Sequence, residues 1–411
     1  MIFLSFAPEF NFSRAIRHLL TIGSKKHSAK LKEELQNRYQ GTHVQLFHNG
    51  RTALSEAIKA IVPKGSHIVV NGLTCYAVHQ AVKAADCNPI YVDINSQDFN
   101  FDINQLSLTL SEDPKIKAII IQNHLGLAAD IVSIEKLAEK YGLIIIEDLA
   151  HCAGSHYADG REMGTVGAVA ALSFGKNKSI DTTEGGALVI RETASALGVK
   201  PAKAKSLRPV TTGEVGGTVA RDDGPTPIRS SRRQVLPRIA DRARDRIYPI
   251  TGWLIRKTYG IGLGKAIASC AFKTGAIVRS AEGDVNPRLR PAHWQAKLAL
   301  RQLRELNQTA KIRAQFAAQY GYPKTSSIIR IPFLVSGRSV LLKTLQTHGI
   351  HLNDSWYDIP VSPKRYYHKV DFPEKSCPVA SRVASQMLNL PLLPKNKLKP
   401  ALEIIQKAIL T

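Results

Sequence analysis

The chain has 411 residues, 44% of them hydrophobic, enough to bury a large core and to fill two or three domains. Lysine and arginine total 56 against 33 aspartate and glutamate, a formal charge of +23 that favours anionic partners: phosphorylated substrates, nucleic acid or acidic lipid surfaces. The cysteines (Cys75, Cys87, Cys152, Cys270 and Cys377) form no C-x-x-C pair, which argues against a disulfide framework or zinc cluster and fits a reducing cytosol. No apolar run reaches membrane-spanning length, and the start of the chain, with Glu9 and no basic n-region, does not read as a secretory signal.

Residues 1–40 read as an N-terminal helical segment. Short β-rich runs then alternate with helix-length stretches: HVQLF (43–47), a helical TALSEAIKAIV, HIVVNG, a helix over 76–85, PIYVDI, KAIIIQNH, a helix over 132–140, LIIIED, AALSF and GALVI. Strands rich in Val and Ile, apolar on both faces and separated by helices, predict an α/β fold with a mainly parallel central sheet and flanking helices, forming a large domain over 41–194.

Residues 200–246 hold twelve basic and five acidic residues among many Gly, Pro, Ser and Thr, which predicts a basic flexible insertion over 195–246. Residues 247–285 form an amphipathic basic segment, YPITGWLIRKTYGIGLGKAIASCAFKTGAIVR at its heart. It reads either as a segment lying on a membrane or partner surface, or as a helical pair packed on the main domain with snorkelling cations. AHWQAKLALRQLRELNQTAKIRAQFAAQY (292–320) predicts one long helix. With IIRIPFLV, a helix over 339–347 and a last helix over 398–409, it makes a smaller α+β C-terminal domain over 286–411.

In parallel α/β sheets ligands gather at the carboxyl ends of strands, and four such ends carry polar groups. HNGRTAL (48–54) turns through Asn49 and Gly50 into a helix whose first N–H groups and dipole suit a phosphate. NGLTCYAVHQAV (71–82) offers a threonine and an aromatic at a helix start, equally a core and cap arrangement. LIIIEDLAHCAGS (143–155) places two acids after an apolar strand with His151 three residues beyond Asp148, open to a metal, a general base or a buried cation. SFGKNKSIDTTEGG (173–186) sets Lys176 and Lys178 between a buried strand and a glycine turn. Desolvation deprotonates a cleft lysine and lets it condense with an aldehyde. Phosphate cradle, aspartate and lysine together are the three fixtures that pyridoxal phosphate (PLP) requires, for its phosphate, ring nitrogen and aldehyde.

Taken in order, NGRTAL, IVVNGLT, IYVDI, NHLGLAADI, IIEDLAHCAGS, SFGKNKSIDTTEGG and CPVASRVASQMLNLPLLP resemble the DegT/DnrJ/StrS-type sugar aminotransferases, a branch of the fold-type I, aspartate aminotransferase-like PLP enzymes. The resemblance covers about 44–191 and returns over roughly 290–400. It implies a fold-type I PLP transferase in which the cofactor lysine lies five residues after the Ser of SF and six before the Glu of EGG; both counts land on Lys178. It further implies that Asp148 holds the pyridinium nitrogen and that His151 contacts the 3-oxygen side of the ring. Ser173 with Gly50, Arg51 and Thr52 would bind the phosphate, and Thr74, Cys75 and Tyr76 form the segment over the ring. Lys176 stands by, exposed or near the phosphate. Where the family has an aromatic directly after this threonine, the chain has Cys75 and then Tyr76, so either covers the ring. NPRLRPAHWQA aligns Arg290 with a family arginine that reaches the partner subunit's cofactor, but puts Arg288 at the family's asparagine position.

The implied activity is ping-pong transamination from an amino donor, glutamate, to a nucleotide-linked keto-sugar, in amino-sugar synthesis for cell-surface polysaccharide, by a cytoplasmic homodimer. Trp356 and Tyr357, in NDSWYDIPVSP, and Arg290 are the candidate acceptor contacts; core packing is the equal alternative for the two aromatics, and His124 reads as structural. Relatives that are sugar dehydratases replace the lysine by histidine, against which Lys178 stands. The alternative from another class is a basic membrane-surface binding protein, attached through 200–280, with a vestigial PLP-fold site; peripheral membrane contact there is compatible with the enzyme too. Interleaved aromatic RNA-binding motifs are absent, leaving nucleic acid the least supported partner.

Overall fold

The structure, a computed structural model, describes residues 2–3, 12–192, 235–277, 283–323, 327–352 and 356–410. In chain order the elements of the first half are β1 (Ile2–Phe3), α1 (Phe12–Leu20), α2 (Lys25–Arg38), β2 (Gly41–Phe47), α3 (Gly50–Ile61), β3 (His67–Asn71), β4 (Thr74–Cys75), α4 (Tyr76–Ala84), β5 (Asn88–Val92), α5 (Ile103–Glu112), β6 (Ile116–Ile121), α6 (Ile131–Tyr141), β7 (Ile144–Asp148), β8 (Val169–Ser173) and β9 (Gly186–Arg191). Helix starts are written into the sequence: Asn49 accepts the Thr52 N–H before α3, Asp102 accepts those of Asn104 and Gln105 before α5, and Asp130 caps α6 through Ser133.

Seven strands form one sheet in the order β2-β9-β8-β7-β6-β3-β5. The five from β8 to β5 run parallel; β9 is antiparallel to β8, and β2 antiparallel to β9, so every strand but β9 points the same way. The expected mainly parallel sheet is present, and the carboxyl ends of β2, β3, β7 and β8 therefore share one edge. Alternate residues of these strands feed two cores, one with α3, α4 and the C-terminal elements, the other with α2, α5, α6 and the helix that starts at His293.

The second half comprises α7 (Val235–Thr258), α8 (Leu263–Lys273), α9 (His293–Arg304), α10 (Leu306–Ala318), β10 (Arg330–Leu334), α11 (Arg338–Thr347), β11 (Ile350–His351), β12 (Val361–Ser362), α12 (Pro378–Gln386), β13 (Met387–Pro391) and α13 (Lys395–Leu410). Two expectations change here. The long helix over 292–320 divides at Glu305 into α9 and α10. The basic insertion over 195–246 lies outside the described residues up to 234, but its last stretch belongs to α7, whose Tyr248 and Ile255, two helical turns apart, are buried against α8 and the segment after it. Apolar residues at helical spacing overrode a local composition that reads as loop. Across the molecule, β12 pairs in parallel with β4, which ties the C-terminal loops to the ligand edge of the sheet.

Candidate active site

The edge of the sheet where β2, β7 and β8 end is built around a close approach. A Cβ on Gly50 would stand 2.5 Å from Cβ of Ser173, and one on Gly186 would stand 2.7 Å from the Asn49 backbone. Only glycine lets the start of α3 nest against the end of β8 and the start of β9. Thr52 is buried with its N–H on Asn49 Oδ1 at 2.9 Å, and Arg51 is buried beside it. The segment 283–290 closes over this turn within the same chain: Asn49 Nδ2 donates to the Asp284 carbonyl at 3.0 Å, and the Asn286 N–H donates to Thr52 Oγ1 at 3.0 Å.

Strand alternation separates the two acids of β7. Glu147 is fully buried and accepts from the Tyr157 hydroxyl and from the N–H groups of Gly164, Val166 and Gly167 at 2.7–2.9 Å. Asp148 faces the site edge. Its Oδ1 accepts from the Ala150 N–H at 3.0 Å, and burial raises its carboxyl above the usual range against the opposing pull of that N–H and of Lys178.

Lys178 Nζ lies 3.0 Å from His151 Nε2 and 4.6 Å from the centroid of the Trp356 ring. The Trp356 ring stacks nearly parallel on His151, centroids 4.8 Å apart, and carries the Arg330 guanidinium 4.4 Å from its own centroid. Burial, then the charge of Lys178, hold the His151 ring well below its ordinary pKa, so it is neutral at pH 7. Behind it, the Tyr357 hydroxyl stands 3.4 Å from His151 Nδ1 and 3.1 Å from His124 Nδ1.

Lys178, His151, Asp148, Trp356 and Tyr357 thus converge, although Trp356 and Tyr357 are some 200 residues from the rest. Of the two residues that follow Thr74, Cys75 caps α4, its Sγ accepting from the Ala77 N–H at 3.5 Å. Tyr76 instead stacks between His79 and Tyr366, 5.7 and 4.8 Å away. Thr74 donates its hydroxyl to Gln122 Oε1 at 2.8 Å. Lys176 is buried, not exposed, with Nζ 4.5 Å from the Tyr248 ring centroid on α7. Arg290 is turned back onto the carbonyls of Pro287 and Leu289 and lies over Phe47, beside the α3 turn and apart from the Trp356 group. Sequence reading passed over Arg330 and Asn389. Asn389 is fully buried and donates to the Trp356 carbonyl at 2.9 Å while Arg330 reaches its Oδ1 at 3.3 Å. The one signal for Arg330 is an arginine inside the apolar run IIRIPFLV.

Residues 13–221 match the model of the DegT/DnrJ/EryC1/StrS aminotransferase family. The chain belongs to this family. The GDP-perosamine synthase of Escherichia coli O157:H7 is 32% identical over 165 residues, 39% of this chain and 44% of the relative. The dTDP-4-amino-4,6-dideoxy-D-glucose transaminase of Escherichia coli is 27% identical over 168 residues, 41% of this chain and 44% of the relative. The matched stretch thus spans less than half the length of these curated relatives. In fold, the family aminotransferase from Brucella abortus superposes with a TM-score of 0.64 at 20% identity, covering 97% of this chain and 94% of its own. The fold is fold-type I, as expected from the resemblance.

The DegT/DnrJ/EryC1/StrS site accommodates PLP on its own geometry. A helix N-terminus nested by glycine against a strand-end serine offers N–H groups for a phosphate, a buried carboxylate at the end of β7 offers a partner for a ring N–H, and a lysine amine stands beside a neutral imidazole.

Proposed function

We propose that the chain is a PLP-dependent aminotransferase that takes an amino group from glutamate and passes it to a nucleotide-linked keto-sugar. The observation that carries this reading is the Lys178 amine, 3.0 Å from the neutral His151 ring and within the field of the buried Asp148.

Bound at this edge, the cofactor supplies an aldehyde that condenses with amines and a pyridinium that accepts electrons from the substrate Cα. The protein's own residues do the rest. The N–H groups of Gly50 and Arg51, with the hydroxyls of Thr52 and Ser173, would bind the phosphate at the start of α3. Asp148, whose burial disfavours its charge, gains a cationic N–H partner that restores it, and this fixes the ring's protonation. His151 directs its Nε2 at the reacting edge. Lys178 Nζ, once released, would carry the proton between the substrate carbon and the cofactor's C4′ carbon, outward with glutamate and in reverse with the keto-sugar. Cys75 is the residue after Thr74 left to cover the ring, since Tyr76 stacks on His79 and Tyr366, and Trp356 and Arg330 would form an aromatic and cationic wall for an anionic substrate.

The reading includes a cytoplasmic homodimer. The cysteines described are all free thiols, in keeping with a reducing compartment, and no helix among the described residues is long and apolar enough to cross a membrane. The test is a pair of half-reactions. Glutamate should convert the yellow protein to its colourless amino form, and a nucleotide keto-sugar should restore the colour. Lys178→Ala should lose turnover by about a thousandfold or more; an undiminished rate in that variant would falsify the assignment. Colourless protein that takes up no PLP would favour a vestigial site instead.

A further inference from the structure

Most of the large apolar side chains that stand exposed among the described residues are gathered on one group of helices. Leu20 ends α1 and Ile22 follows it; Ile247 and Leu254 lie two helical turns apart on α7; Ile261 and Leu263 occupy the turn into α8. Ile261 is 81% exposed and Ile22 77%. Burial of this much aliphatic surface is what folding ordinarily achieves, and a cluster left in water marks a contact surface.

The helices that carry these residues form one unit. The Phe12 ring on α1 lies 4.9 Å from Trp253 on α7, and Arg246 of α7 donates to the carbonyls of Leu19 and Thr21 at 2.7 and 2.8 Å. Neither segment contains an acid: residues 10–32 and 246–281 have lysine and arginine only among their charges. Arg17, Lys257, Lys265 and Lys273 are exposed among the apolar groups. All of α7 and α8 lies beyond the residues matched by the family model, which end at 221.

We infer that α1, α7 and α8 form a docking surface for an anionic lipid bilayer. Aliphatic side chains spaced along helices and flanked by lysine and arginine, with no carboxylate among them, match the interface between headgroup and acyl chain. The apolar groups enter the bilayer boundary while the cations stay at the level of the lipid phosphates. No helix described can cross the membrane, so the contact is peripheral, in the plane of the surface. A protein partner would have to be acidic over the same area, and a second copy of this chain presents the same cations to itself, which disfavours it. The inference is independent of the chemistry at Lys178.

The test is flotation of the full chain with vesicles of phosphatidylcholine alone and of phosphatidylcholine with about one-third phosphatidylglycerol, in low and high salt. The wild-type protein is expected to float with the anionic vesicles only, and to be released by salt. Lys257→Glu with Lys265→Glu should lower the partition coefficient about tenfold or more. Ile261→Ser, at a position too exposed to affect folding, should lower it severalfold. Failure of the wild-type protein to float at low salt overturns the inference, as does unchanged flotation of both variants. Should Ile261→Ser instead split an oligomer in light scattering while flotation stays at the wild-type level, the surface belongs to a second copy and the lipid inference fails. Transamination measured without vesicles reports separately on the site at Lys178.

Discussion

The Leu125 N–H lies 3.4 Å from His151 Nδ1, on the same side as the Tyr357 hydroxyl. The Nδ1 side of His151 thus meets the Leu125 N–H and the Tyr357 hydroxyl, while Nε2 faces the Lys178 amine at 3.0 Å. We propose that Tyr357, set behind His151 with its hydroxyl 3.4 Å from Nδ1, acts through that ring as a positioning residue. Tyr357→Phe keeps the packing and removes the hydroxyl. It is expected to lower kcat about tenfold, the worth of roughly one hydrogen bond, with KM for glutamate changed less than about twofold. The pH midpoint of the cofactor's visible band should move as well, which a purely structural tyrosine would leave in place. His124 adds a pH dependence. Burial pushes its ring down from 6.5 to about 3, so the folded chain stays neutral where the unfolded chain takes a proton. Stability from this group is present above about pH 6.5 and drains away as pH falls toward 3, at about 1.4 kcal/mol per pH unit. Urea unfolding of wild type and His124→Gln across pH 7 to 5 should differ in slope by up to one proton; parallel curves would contradict the burial.

At the scale of the element, β7 shows why a motif is more than its letters. Two adjacent acids at a strand end look interchangeable, yet the two-residue period sends Glu147 into four hydrogen bonds behind the sheet and Asp148 to the ligand edge. Glu147→Ala strands a buried hydroxyl and three N–H groups and is expected to cost about 3–5 kcal/mol in urea unfolding. A loss below about 1 kcal/mol would mean that water replaces the carboxylate. The strands and the Asn49–Gly50 turn were legible because each is a local pattern, whereas the caps Asp102 and Asp130 emerged only with the structure. The Trp356–His151 stack and the Arg330–Asn389 pair were not legible, because they join β7, β10, β13 and a loop that meet only after folding. Lys176 misled for a related reason: its surroundings come from Tyr248 on α7, which is more than seventy residues away in sequence and meets it only after folding.

For the whole molecule, sequence and fold similarity have different reach. Identity with the perosamine synthase covers 39% of the chain, whereas the likeness to the Brucella abortus structure covers 97%. Packing of apolar volume in the right pattern keeps a fold while sequence changes, which is why likeness of fold reaches further along the chain than identity. Net charge of +23 sits on a chain whose proposed substrates are anionic and whose segments 10–32 and 246–281 contain no acid, an excess suited to both the proposed cleft and the proposed surface. The whole proposal rests on one amine. Purified protein loaded with PLP, reduced with borohydride and digested, should yield a single modified peptide carrying the label on Lys178, absent from Asp148→Ala protein in proportion to its lost binding. Label on Lys176 or spread over surface lysines would contradict it.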